Sequence, residues 1–73
     1  MPYKDPYAMP SKDDVESLRR LYVGKTIHIN AMVGEPQYAG KEGTVRLVDD
    51  FGQLHGDWGG LAVNPRCDSI AVL

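Results

Sequence analysis

The sequence lacks the features that stabilise small secreted domains and that hold proteins in membranes. A single cysteine, Cys67, occurs in 73 residues, so an internal disulfide cannot form and the fold must depend on its hydrophobic core. No apolar run approaches the ~20 residues that cross a bilayer, and no basic flank followed by an apolar stretch marks a secretion signal. We therefore expect a cytoplasmic protein that makes no membrane contact.

The sequence also lacks the basic excess of nucleic-acid-binding domains. It has 8 Lys+Arg and 10 Asp+Glu, which gives a formal net charge of −2. Residues 25–73 alone carry four basic and six acidic side chains. Because phosphate backbones are bound by clustered lysines and arginines, nucleic acid is the less expected partner. A chain of this length has room for one hydrophobic core.

The chain divides at Ser11 into an extended Pro/Tyr tail, residues 1–10, and a single domain, residues 11–73. Prolines recur at every fourth position of the tail, which favours an extended backbone. Ser11 and Asp14 have the spacing of a capping box, and Gly24 is typical of a left-handed helix end. We predict one short helix between them that packs on the strands that follow. Its apolar residues are Val15, Leu18, Leu21 and Tyr22.

After the predicted helix the apolar period becomes two. Ile27 and Ile29 alternate with polar residues, which predicts a strand that ends near Met32. Residues 33–42 contain glycines and a proline and predict a long loop. Alternation returns at 69–73, which predicts the last strand.

A glycine-containing turn sets the predicted register of the middle strands. A four-residue loop at 49–52 pairs Leu47 with Leu54 and Val45 with Gly56. These pairs then lie on one inner face, so Leu47 is predicted to point into the core.

A second turn, Gly59-Gly60, predicts a two-residue hairpin that pairs Trp58 with Leu61 and Gly56 with Val63 on the same face, with Trp58 in the core. The resulting order of elements is strand, long loop, strand, short loop, strand, tight hairpin, short turn, strand. We therefore predict a mainly β fold, a five-stranded SH3-like small barrel preceded by one short N-terminal α-helix. An OB-type barrel ranks second, because it normally places a helix where this chain has only the two glycines.

The stretch 43–55, followed by Trp58, 61–65 and Asp68, resembles a family of small bacterial and phage proteins of unknown function. The signature of that family is G-T-V-x-x-V-D-D-x-G-Q-I-H, then a tryptophan, then L-A-x-x-P-x-x-D. The chain departs from it at Gly59-Gly60, where the family has a longer hairpin. The resemblance implies a non-enzymatic accessory protein in a phage or mobile-element setting, and it implies no catalytic residues.

The residues that could carry chemistry have simpler interpretations. His28 and His55 are predicted on different strands, with no cysteine or carboxylate spaced to complete a metal site. Asp49 and Asp50 head a turn, where aspartate hydrogen-bonds the backbone. Cys67 is expected to be a small, half-buried residue of a turn. We therefore expect no catalytic site, no metal and no cofactor.

Four aromatic residues have no place in the predicted core. Tyr38, with Glu35 and Glu42 near it on the long loop, is a candidate to line a groove for a peptide or a partner protein. Alternatively, the Pro/Tyr tail occupies that groove in cis, or the tail and the loop are simply solvated. The four aromatic residues are Tyr3, Tyr7, Tyr38 and Phe51.

We interpret the chain as a module that binds a protein, present as a monomer or a weak homodimer. The alternative is nucleic-acid binding of the KOW or OB kind, supported by a short similarity of residues 40–45 to the KOW motif. A third hypothesis is a phage counter-defence protein that inhibits a host nuclease or sequesters a small molecule. The second hypothesis requires four basic residues to cluster: Lys25, Lys41, Arg46 and Arg66.

Overall fold

The computed structural model describes residues 9–73, so Tyr3, Tyr7 and most of the predicted tail lie outside the described residues. The helix α1, Lys12–Tyr22, begins where the capping box predicts. The Ser11 hydroxyl accepts a hydrogen bond from the Asp14 N–H at 3.1 Å, and the Asp14 carboxylate accepts one from the Ser11 N–H at 3.4 Å. These bonds satisfy backbone donors that the first turn leaves without partners.

One antiparallel sheet of four strands follows, in the order β3-β2-β1-β4. Strand β1 is Thr26–Ala31, and the side chains of Ile27 and Ile29 are fully buried, which confirms the period of two. It pairs with β2 on one side and with β4 on the other. The bounds of the other strands are β2 Glu42–Val48, β3 Leu54–Gly56 and β4 Ser69–Val72, and a 3₁₀ turn spans Pro36–Tyr38.

The strand predicted after Gly59-Gly60 is not formed in the described part of the chain, and the sheet is open with four strands. Val63 makes one isolated bridge, with hydrogen bonds of 2.7 and 2.9 Å to Leu54, so its predicted pairing with Gly56 is wrong. The chain around Gly60 packs against the Tyr38 ring instead. The Leu61 N–H donates to the Tyr38 hydroxyl at 2.9 Å, so these contacts replace a hairpin ladder.

The predicted register of β2 and β3 is correct at Val45, which pairs with Gly56, and wrong beyond it. The register shifts between Val45 and Leu47, so that Val48, not Leu47, pairs with Leu54. The connecting turn is one residue longer than predicted, because the Asp49 N–H donates to the carbonyl of Gln53 at 3.0 Å. Val45 and Val48 are therefore buried, and Leu47 points to solvent with half of its surface exposed.

The core combines one buried residue of α1, Val15, with buried residues of the sheet and of the loops. Trp58 is 5% exposed, as predicted, and its indole N–H donates to the Leu61 carbonyl at 2.8 Å. A Cβ on Gly56 would overlap the Trp58 ring, so a glycine is needed under the indole. The buried apolar residues are Val15, Ile27, Ile29, Met32, Tyr38, Val45, Val48, Leu54, Trp58 and Val63. Within residues 9–73, no helix has the length and apolar character needed to cross a membrane.

Candidate interaction groove

Tyr38 does not have the exposed position that the sequence predicted. Its side chain belongs to the core, and Lys41 lies over its ring with the ammonium 5.6 Å from the centroid. The prediction was wrong because the 3₁₀ turn directs the ring toward the chain around Gly60, a contact between segments distant in sequence. Tyr38 is therefore not available as an exposed aromatic on the loop.

Glu35, Glu42 and Phe51 have separate local contacts in the structure. Glu35 accepts a hydrogen bond from the Gln37 amide at 2.6 Å, and Glu42 pairs with His28 across the β1–β2 ladder at 2.7 Å. Phe51 is 60% exposed at the tip of the turn between β2 and β3. No hydrogen bond or ion pair within residues 9–73 joins Phe51 to either glutamate.

Asp49 stabilises its turn, as predicted. One of its carboxylate oxygens accepts from the N–H groups of Phe51 and Gln53 at 2.9 and 3.0 Å, and the other accepts from His55 at 2.7 Å. Partial burial raises the pKa of Asp49, but the hydrogen bonds from His55 and from the backbone outweigh that effect, so the pKa lies below its ordinary value. No group of three metal-ligating side chains occurs in the part of the chain that the structure describes.

A shallow groove of about 400 Å³, largely open to solvent, lies between the C-terminal end of α1 and the outer face of β2. We call it the arginine groove. Its apolar floor combines Leu47, which is 50% exposed, with Val23, which is 43% exposed. The six residues that line it are Arg19, Arg20, Val23, Arg46, Leu47 and Val48.

Arg19 forms a fixed wall of the arginine groove. Its guanidinium donates to the carbonyl of Val48 from Nε at 3.2 Å and from Nη2 at 3.1 Å, which joins the helix to the end of β2. The same guanidinium contacts Glu16 at 2.5 Å and Asp50 at 3.4 Å. Because its donors are already used, Arg19 shapes the groove rather than offering a strong binding site.

Arg46 stands on the opposite side and is held by Asp57. Its Nη2 lies 3.0 Å from a carboxylate oxygen of Asp57, whose other oxygen accepts from the Thr44 N–H at 2.6 Å. The hydrogen bond from Thr44 and the Arg46 guanidinium hold the pKa of Asp57 below its ordinary value. The side chain of Arg46 is still two-thirds exposed, so it remains open to a ligand.

Arg20 differs from both of the other arginines. Its Nη2 donates to the Ser17 hydroxyl at 3.4 Å, and no carboxylate within residues 9–73 pairs with it. Among the described residues, Arg20 therefore brings a positive charge without an ion-pair partner to the edge of the apolar floor.

Sequence reasoning missed the arginine groove because it placed Leu47 inside. One signal was present: Leu47 and Val48 are adjacent apolar residues, and in a strand only one of two neighbours can face the core. The register shift decides in favour of Val48. Bulges of this kind commonly redirect a side chain at functional surfaces.

Comparison with protein-family models, with curated proteins and with solved structures gives no match to this chain. What the structure defines is a small, mainly β domain with one capped helix and an open, four-stranded antiparallel sheet.

Proposed function

We propose that this protein is a non-enzymatic binding module that acts by protein–protein interaction through the arginine groove. The observation that carries the proposal is the outward position of Leu47. A register shift places a leucine on the solvent side of β2, beside a second exposed apolar residue, Val23. Clustered apolar surface in a groove is typical of interaction sites.

Direct nucleic-acid binding has less support. Arg46 is paired with Asp57, and Lys41 lies over the Tyr38 ring. Arg66 contacts the Phe51 carbonyl at 3.4 Å and lines a different surface from Arg46. Three of the four basic residues that this alternative needs in one cluster thus have separate roles.

We further propose that the domain is an SH3-like barrel whose fourth strand is reduced to the Leu54–Val63 bridge. Support comes from the strand order, in which β1 lies between β2 and the last strand, and from the bridge, which continues the sheet beyond β3. The signature at 43–55 supports the related proposal of a phage or mobile-element accessory protein.

The experiment is an affinity capture from host lysate with three baits: wild type, Leu47→Glu and Leu61→Glu. Leu61 is the matched control, because it is 51% exposed and lies outside the groove. Each capture is run at low and high salt, with a nuclease-treated arm, and each bait is first checked for folding by circular dichroism.

We expect wild type and Leu61→Glu to retain the same protein after nuclease and high salt, and Leu47→Glu to lose it. Recovery of nucleic acid, or of proteins that disappear with nuclease, contradicts the proposal, since phosphate binding weakens steeply with salt. Equal recovery of the protein by Leu47→Glu and wild type would show that the arginine groove is not its binding site.

A further inference from the structure

We propose that the arginine groove binds a short acidic segment of a partner protein, with an apolar side chain next to the carboxylate. This inference rests on the proposed function and names the chemistry of its partner. In it, the carboxylate pairs with Arg20, and the apolar side chain packs on Leu47 and Val23.

The charge of the arginine groove favours an acidic ligand. The whole chain is acidic, with a formal net charge of −2, yet three of its 8 basic residues line this one groove. No carboxylate is among the residues that line it. Arg19 and Arg46 are paired with carboxylates that lie outside this lining, so among residues 9–73 the positive charge of the groove that has no ion-pair partner is that of Arg20. That charge is complementary to one carboxylate of a ligand.

The hydrogen bonding of Arg20 also favours a carboxylate ligand. Guanidinium groups bind carboxylates with two parallel hydrogen bonds, and this pairing is among the stronger ones in proteins. Arg19 has its donors committed to Val48, Glu16 and Asp50. Arg20 has only the long contact to Ser17 within residues 9–73, so it can accept a carboxylate without losing an ion pair.

The apolar floor of the groove favours a peptide over a nucleic acid as the ligand. Leu47 and Val23 offer an apolar surface that a phosphate backbone does not use. Glu16, Asp50 and Asp57 all contact the lining arginines, so a chain of several phosphates is repelled at the rim. A single carboxylate bound to Arg20 is repelled less by these three carboxylates than a chain of several phosphates is.

The test is a selection from a displayed library of random twelve-residue peptides. Wild type is the target, and Arg20→Glu and Lys12→Glu are screened in parallel. Lys12→Glu is the matched control, because it reverses a charge on the same helix outside the groove. The best peptide is then synthesised in two forms, with its acidic residues intact and with them changed to the amides, and both affinities are measured by calorimetry.

We expect the selected peptides to share an aspartate or glutamate within two positions of a leucine, isoleucine or phenylalanine. The amide form and the Arg20→Glu variant should each bind at least about tenfold more weakly, as the loss of a charged hydrogen bond predicts. Lys12→Glu should bind like wild type.

Selected peptides without acidic residues, or equal affinity for the acid and amide forms, overturn the inference. So does equal binding by Arg20→Glu and Lys12→Glu, or self-association of the protein that fills the groove instead. The two proposals fail separately when Arg20→Glu is added as a fourth bait in the lysate capture. If Leu47→Glu loses the captured protein and Arg20→Glu retains it, the proposed function stands and this inference is overturned. If Leu47→Glu retains it as well, the proposed function fails.

Discussion

Two aromatic residues of this protein have opposite roles, which their surroundings explain. Trp58 packs over Gly56 in the core, with its indole N–H bonded to the Leu61 carbonyl, whereas Phe51 is exposed at a turn. We predict that Trp58→Ala lowers the free energy of unfolding by about 3–5 kcal/mol, which is a large part of the stability of a small domain. Phe51→Ala should change it by no more than about 0.5 kcal/mol. Urea denaturation followed by circular dichroism measures both, and a Trp58→Ala variant that is as stable as wild type would contradict the position of Trp58 in the core.

A second prediction at the residue scale concerns Asp49 and pH. Since its pKa is lower in the folded protein than in the unfolded chain, its stabilising effect is present above the unfolded pKa of about 3.9 and is lost as the pH falls through the folded pKa. Asp49→Asn should therefore destabilise the protein at neutral pH and remove part of the acid dependence. Unfolding measured from pH 7 down to pH 2 tests this.

The control for that experiment is Asp50→Asn, one residue away. The Asp50 side chain is 86% exposed, and its one ion pair within residues 9–73 is with Arg19, at 3.4 Å. We expect Asp50→Asn to follow the wild-type curve closely. An Asp49→Asn curve that also coincides with wild type means that the His55 and backbone hydrogen bonds do not stabilise the turn.

At the scale of elements, the start of α1 depends on one side chain. The Ser11 hydroxyl accepts from the Asp14 N–H, so Ser11→Ala leaves that donor without its cap. We predict a loss of about 1 kcal/mol in the free energy of unfolding. Ser17→Ala, in the middle of the same helix, should be neutral or slightly stabilising, because alanine is the better helix former. Equal effects of the two substitutions would show that capping is not the cause.

The register of β2 makes a sharper prediction, because adjacent residues should respond differently. Val48 is buried and Leu47 is half exposed. Val48→Ala should cost about 2 kcal/mol, from lost burial and the cavity left behind, while Leu47→Ala should cost about 0.5 kcal/mol or less. Denaturation of both variants measures the difference. A larger loss of stability for Leu47→Ala than for Val48→Ala would contradict the shifted register and indicate that Leu47 lies in the core.

Local signals in the sequence predicted some elements well. The capping box gave the first residue of α1, and the alternation of Ile27 and Ile29 gave β1, because each depends on neighbouring residues alone. The shift in β2 was not predictable from turn rules, since it depends on which of two apolar neighbours, Leu47 or Val48, packs against the rest of the core.

At the scale of the whole molecule, the missing strand has a cause that is distant in sequence. Gly59-Gly60 is a good hairpin signal, yet the Tyr38 hydroxyl binds the Leu61 N–H, and the Tyr38 ring lies against Gly60. This contact joins the loop after β1 to the segment after β3. Sequence reasoning placed Tyr38 outside the core, and so it predicted both an exposed aromatic and a fifth strand.

The candidate site also depends on contacts between segments that are distant in the sequence. The sequence predicted the helix that carries Arg19 and Arg20, but the position of these arginines beside Leu47 depends on the register of β2 and on the way α1 packs next to it. The arginine groove therefore forms only when α1 and β2, which are separated in the sequence, pack together.

The most direct test of the central claim is photo-crosslinking in the cells that produce the protein. A photoreactive phenylalanine analogue replaces Leu47 in one version and Leu61 in another, two leucines with nearly equal exposure. The account predicts a discrete protein adduct from position 47 and none from position 61. Adducts from position 61 alone, or adducts from position 47 that consist of nucleic acid, would contradict the proposal that the arginine groove binds a protein.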